Sequence, residues 1–259
     1  MTTQPGPGTA AATFPGRPPR THADEPGPGR AVLRVAAAAG VLGLVLEVAM
    51  DHLHPSRTQP NDTVAAFREY SRSGTWTAVH LGQLAAALLI MATLVTVARL
   101  GARQAGMVGA LSFGGGVTAV LFAAVFAVQM AVDGVALRAA VRAWASAPPG
   151  TDRTAAFLVA DGLRSLEKGL AGVFQILSGL TLLALGLSIA LGRWLPRWLG
   201  WVATVAGAGT VVGGVATAHT GFSPTASAIL AGPSVLVAVF LLGVCVRLWR
   251  LEEPAPGGP

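Results

Sequence analysis

The stretch Gly169–Leu191 reads GLAGVFQILSGLTLLALGLSIAL and contains 23 residues without one charged side chain. A helix of this length covers the ~30 Å hydrocarbon core of a bilayer. The run is continuous and rich in Leu, Ala and Gly, whereas the strands of membrane barrels alternate apolar and polar residues. The stretch is therefore predicted to be a transmembrane helix, which satisfies its backbone hydrogen bonds internally.

Five further apolar segments of similar length occur along the chain. They are predicted as helices over Ala31–Leu53, Trp76–Ala98, Ala105–Val132, Leu199–Ala218 and Ala226–Val246. The 259 residues are 53% hydrophobic and 12% charged, about half the charged share of a soluble domain. The expected fold class is all-α: a polytopic membrane helix bundle with about six transmembrane helices over residues 30–250.

The two ends of the chain are predicted to be disordered tails. Residues 1–29 contain seven of the 17 prolines and no sustained apolar run, so they cannot bury enough surface to fold. Residues 251–259 are also rich in Pro and Gly. The first tail is expected in the cytoplasm.

Arginines collect in the segments that would share one end of the bundle. They are Arg17, Arg20, Arg30, Arg34, Arg99, Arg103, Arg193, Arg197, Arg247 and Arg250. The two short loops among these segments contain no acidic residue, and short basic loops stay in the cytoplasm. With a composition typical of a GC-rich bacterial genome, this predicts a multi-pass protein of the bacterial inner membrane. Both termini are expected in the cytoplasm, and the longer loops outside.

The two longer loops are predicted to contain helices. In Asn61–Arg72 apolar residues recur every third position, which indicates a short helix lying on the membrane surface, capped by Asn61 or Asp62. In the other loop, the sequence Pro-Pro-Gly at 148–150 predicts a sharp turn. The helices on either side are expected to continue past the membrane as a hairpin, with Thr151 as an N-cap.

Polar side chains gather at the helix ends that this topology places outside. Such residues in or beside lipid are costly, which makes them functional candidates. The pocket candidates are Glu47, Asp51, His52, His54, His80, Gln83, Gln129, Asp133, Glu167, Lys168, Gln175 and His219. Glu47 lies about one turn inside the end of the first helix, and we expect it to face the bundle interior.

Imidazoles beside carboxylates suit zinc, copper or nickel. The candidate metal ligands are His52, His54, His80, His219 and Asp133. The rings of His52 and His54 would diverge by about 200° on a helix, so both could reach one ion only if Pro55 unwinds it. The same groups also suit a proton-titrating pocket. A third interpretation is that they are only polar residues at wet helix ends.

The stretch Glu167–Gly209, with LPRWLG at Leu195–Gly200, resembles an element of uncharacterised bacterial six-helix integral membrane proteins, a domain-of-unknown-function class. His54–Pro55, followed downstream by Trp76 and His80, has the same resemblance. The resemblance implies the six-helix architecture and supplies no activity or substrate.

Two function classes follow from these residues. The leading interpretation is a non-enzymatic small transporter subunit or sensor with an outward-facing His/carboxylate pocket. The alternative is a membrane-embedded metal-dependent hydrolase, which needs three protein ligands, an open metal position and a general base. No catalytic residue is assigned, and a divalent metal is the one cofactor considered. The lipid bilayer is the expected partner; a homo-oligomer or a partner membrane protein stays open, and scattered basic residues do not indicate nucleic acid.

Overall fold

The computed structural model of the chain describes residues 29–55, 58 and 61–251, which form helices and no β-strand. The predicted tails lie outside these residues, apart from Gly29 and Leu251. The helices are α1 Arg30–Leu53, α2 Thr63–Arg72, α3 Trp76–Gly101, α4 Gly106–Ala131, α5 Arg138–Ser146, α6 Thr151–Gly192, α7 Arg197–Thr220 and α8 Pro224–Arg250. A π-helical segment, Val132–Leu137, joins α4 to α5.

Six helical stretches of the described chain are long and apolar enough to cross a membrane. They are α1, α3, α4 with its continuation through α5, α6, α7 and α8. Large apolar side chains such as Val35, Phe113 and Val235 are exposed on the outside of the bundle, where contact with lipid satisfies them. The predicted fold class, an all-α membrane bundle of about six helices, is confirmed.

Helix α6 packs most extensively against α7 and α4. A Cβ atom at Gly179 of α6 would lie 2.7 Å from the carbonyl oxygen of Gly207 in α7, so only glycine permits this approach. Small residues at such contacts let helices pack closely in a membrane. Helix α1 packs against α3 and α8, and α8 packs against α7.

Helix α6 contains 42 residues and is about 63 Å long, roughly twice the thickness of the hydrocarbon core. Its first half pairs with α5 as the predicted hairpin. The turn requires Gly150, whose φ of +117° lies in the region that other residues rarely adopt. The predicted N-cap was wrong, because Thr151 is the first helical residue and Gly150 occupies the cap.

Helix α2 covers the end of the bundle where α1 ends. Asp62 caps it, with Oδ1 accepting a hydrogen bond from the Ala65 amide at 3.0 Å. The buried Arg138 of α5 donates to the carbonyl groups of Tyr70 and Ser73 at the other end of α2. The apolar face of α2, including the fully buried Phe67, packs on α5 and α6. This face therefore contacts protein, not the membrane surface that the sequence suggested.

The two ends of the bundle differ in character. We call the end that contains the last turn of α1, α2 and the first turn of α3 the polar end. At the opposite end, the short loops 102–105 and 193–196 are neighbours, since a Cβ atom at Gly101 would lie 2.6 Å from the Trp194 ring. The arginines of these two loops consequently share one end, away from most of the histidines.

Candidate metal centre

His80 occupies the second turn of α3 and is almost fully buried. Its Nδ1 atom lies 2.7 Å from the carbonyl oxygen of Trp76, and its Nε2 atom lies 2.9 Å from Oδ2 of Asp133. A carbonyl oxygen only accepts, so Nδ1 carries a hydrogen and donates it. A neutral His80 ring then turns the lone pair of Nε2 toward a carboxyl group. Nε2 of His80 and the carboxylate oxygen of Asp133 are then both acceptors, so a shared proton or a cation has to lie between them.

Asp133 lies in the π-helical segment, a type of distortion that is frequent at functional sites. Its carbonyl oxygen accepts a hydrogen bond from Nε1 of Trp76 at 2.9 Å, and the next carbonyl, that of Gly134, accepts one from Oγ1 of Thr77 at 2.8 Å. A Cβ atom at Gly134 would lie 2.6 Å from Cβ of His80. The absence of a side chain there allows α3 and the π-helical segment to come together.

His54 lies close to His80 and Asp133 because α1 ends just before it. Pro55 disfavours a helical backbone in the preceding residue, and His54 is extended, with φ −69° and ψ 129°. Its ring centroid lies 5.1 Å from that of Trp76 and 5.2 Å from that of His80. One ligand atom each of His54, His80 and Asp133 lies within 4.8 Å of the others.

The surroundings of the His54 ring favour its neutral form. Burial lowers the pKa of His54, and the neighbouring His80 lowers it further. Asp133 and Asp51 oppose this, but the net pKa of His54 stays below its ordinary value. Neutral imidazole is the form that binds metals, because a protonated ring has no lone pair to offer.

A buried ion pair lies next to these residues. Arg164 of α6 donates to both carboxylate oxygens of Glu167, at 2.7 and 2.6 Å, and both side chains are almost fully buried. The guanidinium carbon lies 5.3 Å from the Tyr70 ring and 4.9 Å from the Phe222 ring. Glu167 also interacts electrostatically with Asp133. A second carboxylate therefore stands beside the proposed ligands, with its charge balanced by Arg164.

These groups line a chamber of about 340 Å³ at the polar end. Two buried amide oxygens in its walls have no hydrogen-bond partner among the described atoms, Oε1 of Gln129 and Oε1 of Gln175. Buried polar atoms are nearly always paired in proteins. A bound ion, ligand or water is the partner that would satisfy them, so we call this space the polar chamber.

The structure brings together part of the predicted pocket. The predicted residues that line the polar chamber are Glu47, His54, His80, Gln83, Gln129, Asp133, Glu167 and Gln175. Four others, Asp51, His52, Lys168 and His219, do not line it. His52 remains on α1 and is exposed, with Nδ1 2.9 Å from the Val48 carbonyl oxygen, and His219 is exposed at the end of α7. Neither belongs to the group of His54, His80 and Asp133 that could hold a metal ion.

Two chamber residues were missed by the sequence analysis, Arg164 and Tyr70. The available signal for Arg164 was its i, i+3 spacing from Glu167, which places opposite charges on one helix face. Tyr70 was recognised only as part of an apolar repeat. Its position in the chamber depends on how α2 docks, which no local pattern specifies.

Comparison with protein-family models, with curated proteins and with solved structures finds no match. The resemblance noted in the sequence is thus supported in its architecture alone, a bundle with six candidate membrane spans in the described chain. The chemistry of this protein has to be argued from its own residues.

Proposed function

We propose that this membrane protein binds a zinc-like divalent ion at His54, His80 and Asp133 and uses it to hydrolyse a ligand in the polar chamber. The observation that carries the proposal is the convergence of three ligand atoms within 4.8 Å in the chamber wall. Two imidazoles and one carboxylate are a donor set of catalytic zinc, whereas structural zinc is closed by four protein ligands. The bond from His80 to the Trp76 carbonyl is also the support that metal-bound histidines usually have.

The chamber supplies what hydrolysis requires beyond the ion. A zinc ion held by His54, His80 and Asp133 would lower the pKa of a bound water to near neutrality and so supply a nucleophile for the carbonyl carbon of an ester or amide. Cleavage would also require a proton for the leaving oxygen or nitrogen. Glu47 and Glu167 line the chamber outside the ligand set and are the carboxylates available to carry that proton.

A non-enzymatic sensor or small transporter subunit is the second candidate, and the His80–Asp133 pair favours it. This pair has to share a proton when no metal is bound, so an arriving ion would displace the proton. Such an exchange couples ion binding to pH without any reaction. The two candidate functions differ in the coordination of the metal ion, because only a hydrolase needs an open coordination position.

We further propose that the polar end faces the outside of a bacterial inner membrane and that both termini are cytoplasmic. The arginine-rich short loops at the opposite end support this orientation. Reporter fusions at Gly101 and Arg193 should then report the cytoplasm, and fusions at Asn61 and Gly150 the outside. The reverse pattern would contradict the orientation.

Cobalt substitution tests the metal chemistry. Protein in nanodiscs is stripped with a chelator and titrated with Co²⁺, whose visible absorption reports its coordination. We expect one Co²⁺ per chain, and we expect imidazole, an uncharged ligand, to change the spectrum by entering the open position. Asp133→Asn should lose binding, and Asp152→Asn, at an exposed position of α6, should retain it. Binding without a response to imidazole would favour the sensor, and absent binding would refute the metal centre.

A further inference from the structure

An apolar chamber of about 410 Å³ adjoins the polar chamber on the side away from the polar end. The walls of the two chambers share Glu47, Phe126, Phe174 and Gln175. The rings of Phe126 and Phe174 have their centroids 4.9 Å apart and stand at this junction. Beyond this junction the walls of the apolar chamber are almost entirely apolar. A polar and an apolar chamber therefore adjoin each other inside one bundle.

The apolar chamber extends along the helices toward the bundle centre. Its walls include Gln175 at the junction and Leu182 further along α6, seven residues apart. Seven residues of α-helix correspond to about 10 Å. Ile90 and Leu94 of α3 continue the same apolar lining. The apolar lining therefore continues for about 10 Å from the junction, in the direction that an alkyl chain attached to a head group in the polar chamber would take.

The wall of this chamber on the side of α1 and α8 also faces the lipid side of the bundle. Val48 of α1 and Ser234 of α8 belong to this wall and are exposed. Leu44 of α1 and Val237 of α8 also belong to it and are partly exposed. The boundary between α1 and α8 is therefore the place where a molecule dissolved in the bilayer would enter without crossing water.

From this arrangement we propose that the ligand is an uncharged, single-chain amphiphile, with its head group in the polar chamber and its alkyl chain in the apolar chamber. The inference rests on the proposed function, because the head group would meet the metal ion held by His54, His80 and Asp133. The apolar chamber has a volume of about 410 Å³, and we assign it one alkyl chain.

The charges of the polar chamber select the head group. Its described walls contain the carboxylates of Glu47, Asp133 and Glu167 and one guanidinium group, that of Arg164. With all three carboxyl groups ionised, a divalent ion would balance the two negative charges that remain. An anionic head would then give the chamber a net negative charge, which is costly to bury. An uncharged head with hydroxyl or amide hydrogens would instead donate to the unpartnered oxygens of Gln129 and Gln175.

Native mass spectrometry with 1-monooleoylglycerol tests this inference on zinc-loaded protein. We expect a 1:1 adduct, and at least tenfold weaker binding of oleate, which is anionic, and of dioleoylphosphatidylcholine, which has two chains. No adduct, or equal binding of all three lipids, would overturn the proposal. If zinc is bound and no adduct forms, only the amphiphile inference fails; if zinc itself is absent, the proposed function fails.

Two variants fill the apolar chamber and leave the polar one intact. Ala238→Phe on α8 and Ser178→Phe on α6 change residues that line only the apolar chamber. Each should keep stoichiometric zinc, which reports correct folding, and weaken the monooleoylglycerol adduct at least tenfold. The matched control is Ala124→Phe, on the exposed face of α4, which should behave as the parent. Unchanged adducts in both zinc-loaded variants would overturn the assignment of the chain to this chamber.

Discussion

His80 and Asp133 form a buried pair in which Nε2 lies 2.9 Å from Oδ2, while Nδ1 of the same ring is committed to the Trp76 carbonyl group. The ring therefore offers its second nitrogen to whatever cation the carboxylate attracts, a proton or a metal ion. The metal-centre proposal depends on this relationship more than on any other.

Replacing the carboxylate separates metal binding from folding. In Asp133→Asn, the side-chain amide can still donate to Nε2 of His80, so we expect a thermal midpoint close to that of the parent. The variant should nevertheless bind zinc more than about tenfold more weakly, because the anionic ligand is lost. Zinc titration with a competing chelator measures this. Parent-like zinc affinity in a folded Asp133→Asn protein would be incompatible with a ligand role for Asp133.

Gly134 tests the close approach of α3 to the π-helical segment. The Cβ atom in Gly134→Ala would meet Cβ of His80 at 2.6 Å, and both atoms belong to packed helices. We expect a destabilisation of about 1–3 kcal/mol from overpacking, with weaker zinc binding as His80 is displaced. The control is Gly162→Ala, where nothing lies within 4 Å and alanine should be neutral or slightly stabilising. Equal stability of the two variants would contradict the contact.

The Arg164–Glu167 pair should show strong coupling. Arg164→Met leaves a buried carboxylate without its main partner and should cost about 3–5 kcal/mol. Arg164→Met combined with Glu167→Met should recover much of that loss, because no uncompensated charge is left. A double-mutant cycle measured by denaturation gives the coupling energy. Arg142→Met, at an exposed position of α5, is the control. Additive effects of the two substitutions would show that the pair is not buried as described.

The lowered pKa of His54 predicts a pH dependence in metal-free protein. His54 faces His80, Asp133 and Asp51, and burial dominates. The folded state binds the His54 proton more weakly than the unfolded state, so stability falls as pH drops from about 6.5 through the lower folded pKa. His54→Gln removes this loss. The thermal midpoint of the parent should therefore fall more steeply than that of His54→Gln between about pH 7 and pH 5. Parallel curves would argue against a buried neutral ring.

Much of the fold follows from sequence because lipid imposes simple rules. Apolar runs such as Gly169–Leu191 have to be helices, and the Pro-Pro-Gly sequence at 148–150 has to interrupt one. The way in which a helix packs on the rest of the protein is harder to predict, since the residues that it contacts are distant in the sequence. The apolar repeat of α2 indicated a buried face but not what buries it, and the membrane was the wrong choice because Arg138 and the hairpin hold α2 instead.

The sequence predicted the candidate ligands, but it did not predict which of them converge in the structure. His54, His80 and Asp133 were among the proposed ligands, together with His52 and His219. Which of them converge depends on the point where α1 ends and on the π-helical segment that carries Asp133. Pro55 suggested an end of α1 nearby, but a shift of two residues, about half a turn, would exchange one histidine for the other. Arg164 was missed although its spacing from Glu167 was visible, because the two rings that complete its surroundings, Tyr70 and Phe222, come from distant parts of the chain.

The zinc content of His52→Asn and His54→Asn, measured side by side, tests the central claim most directly. The two histidines are nearly adjacent in sequence, yet His54 lies in the ligand group and His52 is exposed on α1. Both proteins are purified from membranes, loaded with zinc, dialysed and analysed by mass spectrometry of the metal. The expected result is one zinc per chain in the parent and in His52→Asn, and well below one in His54→Asn. Equal zinc contents in the two variants, whether high or low, would contradict the metal centre as described.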